Sequence, residues 1–240
     1  MKVAVLNNSG NVGKSTICQN LLMPRMSNAE LFKVESINND LQQEGQQING
    51  RKFDELITNV MVSDSAIVDV GSSNIEEFLT QMEEYKGSHE DFNYFIIPIV
   101  PDTKQQIDSI STIVTLNGIG IENDKIKVIF NRADKKDDDL EFQYSEFLSR
   151  CKGSGFKINP AKTPVIYETT LFTKLAEMET TMLRLISENK NYDDLMRQID
   201  KGDPDVKSKR MQLAVEKNLQ RQALGVNEEL NFAFKQLNLR

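Results

Sequence analysis

The sequence predicts an α/β protein built on a doubly wound, mostly parallel sheet. Two observations carry this. Short apolar runs alternate along the chain with amphipathic stretches of helical length. Most of those runs are continuously apolar rather than alternating, as expected of parallel strands covered on both faces. Strands separated by helices imply right-handed crossovers, and ligands of such sheets bind at the carboxyl ends of the strands.

The expected strands are Lys2–Asn7, Glu30–Ile37, Ala66–Val70, Tyr94–Val100, Lys127–Asn131 and Pro164–Tyr167. The first helix, Lys14–Met23, should stop at Pro24, which cannot continue it. A second covers Arg51–Val62. Ser73-Asn-Ile-Glu76 has the form of a capping box and opens a third, to about Tyr85. Asp102-Thr-Lys-Gln105 opens a fourth, to about Leu116, ending near Gly118. Asp138–Lys152 and Leu171–Ser187 follow. Lys201-Gly-Asp-Pro204 reads as a break, which divides the chain into a domain over 1–200 and a helical tail over 201–240. In the tail, Met211, Val215, Leu219 and Ala223 share one side of a helix, Gly225 ends it, and Asn227 caps a last helix bearing Leu230, Phe234 and Leu237. That stripe either packs on the domain or receives a partner. The strand ends bring four loops to one rim: 7–15, 36–50, 69–73 and 131–138.

Composition narrows the function. The 240 residues carry a net charge of -7, which argues against a broad basic field for nucleic acid. Residues 201–240 are the exception, with eight Lys/Arg against five Asp/Glu. Their basic stretch Lys207-Ser-Lys-Arg210, with Lys217 and Arg221, is the one hint of contact with DNA or a membrane surface, and an exposed helix face explains it equally well. No run approaches the ~20 apolar residues of a membrane span. The two cysteines, Cys18 and Cys151, have no metal or disulfide spacing, and the chain opens on a strand rather than a signal peptide, so a reducing cytoplasm is expected. A single histidine, His89, argues against His-based metal clusters.

The chemistry-bearing stretch is Leu6–Ile17, LNNSGNVGKSTI. Gly13-Lys14-Ser15-Thr16 follows a strand and opens a helix, the context of a phosphate-binding loop. Backbone amides converge there at a helix start, where the dipole favours anions. Gly13 lets the chain approach phosphate oxygen, Lys14 supplies a point charge to the β- and γ-phosphates, the Ser15 hydroxyl ligates Mg²⁺ and Thr16 bonds the α-phosphate. The first glycine of the usual loop is absent, because Asn8 stands there. Ile67-Val68-Asp69-Val70-Gly71 is an apolar strand ending in Asp and Gly: Asp69 would hold Mg²⁺, mostly through water, and Gly71 would let a loop approach the γ-phosphate.

Ser9-Gly10-Asn11-Val12-Gly13-Lys14-Ser15-Thr16 resembles the deviant phosphate loop of the ParA/MinD superfamily, K-G-G-V-G-K-[ST]-T, at six of eight positions. The resemblance covers roughly residues 1–190 and implies a P-loop ATPase fold with ATP and Mg²⁺ as cofactors. In that family the leading lysine reaches the partner's phosphates across a nucleotide-sandwiched dimer. Here Ser9 replaces it, so a homodimer with weaker dependence on nucleotide is expected. Asn11 replaces a glycine and tolerates a left-handed backbone. The family's D-x-D after the second strand, one of whose aspartates positions the attacking water, is broken: Glu35 aligns with the first position, Ile37 with the second, and Asp40 is the fallback. Val128–Asp134 resembles the family's segment in which Asn131, followed by Arg132, meets the adenine edge.

The N-terminal segment, with Val-Glu-Ser-Ile-Asn after the second strand, looks like the StbB branch, associated with plasmid stability and conjugation. That resemblance implies an ATP switch in plasmid positioning, stable inheritance and transfer, working with a DNA-binding adaptor, and the broken D-x-D leads to the expectation of slow hydrolysis. Two other readings stay open: a nucleotide-binding scaffold without turnover, kept alive by Ser9 and the broken D-x-D, and a small-molecule P-loop ligase of the dethiobiotin-synthetase kind, which would need substrate anchors that the sequence does not display.

Overall fold

The computed structural model describes residues 1–34, 46–48, 53–137, 139–188 and 190–239. Seven parallel strands among them form one sheet in the order β3-β2-β4-β1-β5-β6-β7. They are β1 Lys2–Val5, β2 Ala29–Val34, β3 Gln46–Ile48, β4 Ser65–Val70, β5 Tyr94–Ile99, β6 Ile126–Ala133 and β7 Val165–Tyr167. All pairings are parallel, so the predicted doubly wound sheet is what the chain adopts. The six predicted strands are present, and β3, too short and polar to register as an apolar run, adds an edge. β1 lies at the centre, between β4 and β5. The chain leaves β1 towards β2 on one side and leaves β5 towards β6 on the other, which makes the β1–β5 junction the topological switch point.

Strand periodicity divides the buried residues between two faces. One face bears Ala4, Leu6, Val68, Val70, Phe95 and Phe130, in a core shared with Phe53 and Leu56 of α2 (Phe53–Val62) and Phe78 and Met82 of α3 (Ile75–Glu84). The other bears Val3, Val5, Ile67 and Asp69. Helix α1, Lys14–Thr16, runs on as a π-helix, Ile17–Leu22, whose Met23 amide bonds the Cys18 carbonyl five residues back at 2.9 Å.

Helix starts follow their caps. Asp102 opens α4 (Thr103–Gly118) as expected, its carboxylate accepting from the Gln105 amide at 2.9 Å. The box expected at Ser73 is not the start of α3: a 3-10 turn, Ser72–Asn74, precedes the helix, and the Ser73 hydroxyl donates to Asn74 Oδ1. The helix expected over 138–152 is two, α5 (Leu140–Gln143) and α6 (Ser145–Ser154). That expected over 171–187 is also two, α7 (Leu171–Glu177) and α8 (Met182–Ser187), parted where Glu179 takes a left-handed φ of 48°. α9 (Tyr192–Gln198), capped by Asn191, lay too close to neighbouring polar residues to stand out. Gly225 does not end a helix: α10 is continuous over Val206–Leu237, so propagation across one glycine outweighs its poor propensity.

The chain resolves into two compact units, 1–168 with 232–240, and 169–231. In the second unit Leu219 and Ala223 of the predicted stripe are buried, while Met211 and Val215 are more than half exposed. No helix among the described residues is long and apolar enough to cross a membrane.

Candidate functional site

The loop between β1 and α1 is fixed by residues about a hundred positions away. Asn7, fully buried, donates through Nδ2 to Pro98 O at 2.8 Å and to Ser109 Oγ at 2.7 Å, and its Oδ1 accepts from the Ser9 amide at 2.8 Å. The Asn8 amide donates to Thr112 Oγ1 at 3.1 Å, and the Ser9 hydroxyl donates to Asp108 Oδ2 at 2.7 Å. Ser109, Thr112 and Asp108 all lie on α4, so one face of that helix clamps the start of the loop. Buried polar groups must be paired, and here each donor has its acceptor. The sequence marks none of these partners, because they are distant along the chain and belong to no motif.

The rest of the loop turns through two left-handed residues. Asn11 has φ 57° and Gly13 has φ 86°, as their residue types allow. Gly10 runs close to the turn after β4: a Cβ there would lie 3.5 Å from Ser72 Oγ. Val12 is buried, and its carbonyl accepts from Asn131 Nδ2 at 2.7 Å. That amide sits so close behind Gly13 that a Cβ on the glycine would come within 2.4 Å of it. Helix α1 begins at once, with the Ile17 amide bonded to Gly13 O at 3.0 Å. Ser15 is exposed and Thr16 half-buried, at the mouth of the loop.

Lys14 is not the solvent-facing residue that a loop position suggests. It is 8% exposed, and its ammonium donates to Asn7 O at 3.1 Å and Ser9 O at 2.9 Å, bridging the loop from inside. Burial depresses its pKa, while the charges of Asp69 and Cys18 act to raise it. Asp69 is 3% exposed at the end of β4. The same carboxylate, after burial itself, helps push the Cys18 thiol well above its ordinary range, and Lys33 and Lys14 act against it. Lys14, Cys18, Lys33 and Asp69 therefore form one buried electrostatic cluster beneath the loop. Lys33, fully buried on β2, was not singled out from the sequence.

Asn131 ends the straight part of β6. Its carbonyl accepts from the buried Tyr144 hydroxyl at 2.9 Å, and Tyr144 stacks on Phe130 with centroids 4.1 Å apart. Its side-chain donor is engaged by the phosphate-type loop, a structural role beside any contact with a base. Arg132 bulges outward at φ 56°, exposed, at a register shift between β6 and β7. Thus Ser9, Gly10, Asn11, Val12, Gly13, Lys14, Ser15, Thr16, Asp69 and Asn131 converge at the carboxyl ends of β1, β4 and β6. Glu35 and Asp40, the expected water-positioning carboxylates, lie outside the described residues.

Hard oxygen donors suit Mg²⁺, which keeps most of its water and needs few protein ligands. The Ser15 hydroxyl and the Asp69 carboxylate fit that demand. Among the described residues no three His, Cys, Asp or Glu side chains gather into a denser metal site.

No protein-family model matches the chain, and no curated protein does. Solved structures do. Apo McdA from Cyanothece superposes with a TM-score of 0.52 at 11% identity, over 90% of this chain and 98% of that one. The MinC:MinD cell division protein complex of Aquifex aeolicus matches with a TM-score of 0.50 at 15% identity, over 76% of this chain and 88% of that one. The fold is therefore that of McdA and MinD.

Proposed function

We propose that the chain is an ATP-binding switch of the ParA/MinD kind, with slow hydrolysis, acting in plasmid positioning, stability and conjugative transfer beside a DNA-binding adaptor. One observation carries the nucleotide reading: a lysine held inside a tight loop by two backbone carbonyls, at a helix start, with a buried carboxylate on the neighbouring strand. A phosphate chain would replace those carbonyls as the partner of Lys14, meeting the loop amides and the positive end of α1. Ser15 and Asp69 would hold Mg²⁺, which would supply positive charge to offset that of the phosphates. Thr16 would bond the α-phosphate, and Asn131 and Arg132 would border the base. Glu35 or Asp40 would orient the attacking water.

The positioning role rests on the resemblance of the N-terminal segment to the StbB branch, together with a fold shared with McdA and MinD. MinD is held with MinC in its complex, and a protein partner is the corresponding expectation here. Ser9 is bonded to Asp108 rather than carrying a cation, so a nucleotide-linked homodimer would be weak. A second reading, a scaffold that binds without turnover, draws on the same serine.

Calorimetric titration with ATP and Mg²⁺ tests the nucleotide site. Lys14→Ala should weaken binding by at least ~100-fold, the loss of a charge-assisted phosphate contact, while far-UV dichroism stays native. Unchanged affinity refutes the site. Phosphate release by the wild type above the Lys14→Ala background separates switch from scaffold. Pull-down of the plasmid-encoded DNA-binding partner, with and without ATP, tests the positioning role.

A further inference from the structure

Lys33 is the anomaly of the sheet. It is fully buried on β2, and lysine is almost never so buried unless paired. In the β2–β4 ladder its Cα partner is Asp69, so both side chains leave the sheet on the same face. That face is the one covered by α1, and both charges act on Cys18, the carboxylate raising its thiol pKa and the ammonium lowering it. The neighbouring pair, Phe32 and Val68, points to the opposite, apolar core.

We propose that Lys33 is a resident counter-cation for Asp69, a positioning residue that balances this carboxylate before any metal arrives. The proposal rests on reading Asp69 as the metal-side carboxylate. Its consequence is specific. Mg²⁺ drawn to Asp69 meets a fixed positive charge on the adjacent strand, so the metal adds less to nucleotide affinity than it would beside an unpaired carboxylate. The site binds nucleotide with a muted requirement for Mg²⁺.

Two measurements test this. Urea unfolding of Lys33→Met, Asp69→Asn and the double variant forms a cycle. Each single variant leaves the other's buried charge without the opposite charge beside it and should lower the midpoint, and the double should recover most of the loss. Additive losses overturn the pairing. ATP titrations in Mg²⁺ and in chelator then give the metal's contribution to affinity. In Lys33→Met that ratio should grow by about tenfold over the wild type, one unit of charge removed beside a divalent ion. An unchanged ratio overturns the counter-cation role, whatever the cycle gives. If Lys33→Met does not fold, Lys33→Gln takes its place in both measurements. If the wild type binds ATP in neither condition, the nucleotide reading falls, while the unfolding cycle still decides whether Lys33 and Asp69 are coupled.

Discussion

The loop at Asn7–Thr16 and the unit over 169–231 hold themselves together by opposite means. The loop is short, buried at Asn7, Ser9, Val12 and Lys14, and anchored by side chains from β6 and α4, about a hundred residues distant, with bonds of 2.7 to 3.1 Å. The second unit is a set of short helices with much of α10, packed through buried Leu171, Leu175, Met182, Leu185, Leu219 and Ala223 and tied at its surface by pairs such as Lys217 with Asp193 at 2.7 Å. Some of its contacts are better shielded: Gln220 donates to the carbonyls of Leu185 and Glu188, both at 2.8 Å. Yet Met211, Val215 and Leu183 stay exposed on its surface. The difference teaches where geometry is demanded. The loop is braced by polar bonds from distant elements, as suits a backbone that must present amides to an anion, whereas the helical layer is held by apolar packing with ion pairs at its surface.

The same substitution should break this comparison in opposite directions. Gly13→Ala forces a Cβ to within 2.4 Å of Asn131 Nδ2 and strains a φ of 86°. It is expected to cost about 2–4 kcal/mol, from backbone strain and the displaced amide together, read as a lower urea midpoint. Gly225→Ala, inside α10 with nothing within 4 Å of its Cβ, should instead raise stability by about 0.5–1 kcal/mol through helix propensity. Equal effects at the two glycines would show that the loop is no more constrained than the tail.

Asn131→Ala is the intermediate case. It removes the donor to the buried Val12 carbonyl and should cost about 1–3 kcal/mol, the penalty for an unsatisfied buried acceptor. It should also lower ATP affinity in calorimetry, since the loop behind Gly13 loses its support. A variant with native stability and native affinity would show that this amide neither braces the loop nor meets the base.

This contrast also explains what the sequence made legible. The sheet was visible because β1, β4, β5, β6 and β7 each carry an unbroken apolar run of three residues or more, and Gly13-Lys14-Ser15-Thr16 was visible because a phosphate loop is a local motif. Asn11 was read as a left-handed residue, and its φ of 57° agrees. What was not legible is long-range. Nothing near Asn7 announces Pro98 or Ser109, and nothing in Lys33 announces Asp69, until register sets β2 beside β4. Lys14 shows the same limit: its own chain folds back to bury it, which a loop position does not announce. Over 169–199 and 225, helix ends depended on single residues, Glu179 and Gly225, whose local preferences were both outweighed: a good helix former takes a left-handed turn, and a glycine lies inside a continuous helix.

The smallest effect is expected on the surface of the second unit. Lys217 holds the Asp193 carboxyl below its ordinary value, first by hydrogen bonding and then by its charge. A carboxyl whose folded pKa is depressed adds stability above its unfolded value, here 3.8, and that addition is lost as the pH falls through the folded pKa. Because the pair faces solvent, that addition is small and further screened by salt. Asp193→Asn should therefore shift the thermal midpoint slightly at pH 7, less still at high salt, and not at all once acid has protonated the wild-type carboxyl. A large shift at pH 7 that survives both salt and acid would mean that Asp193 is held by something other than Lys217, and that the helical unit is built with the same exactness as the loop.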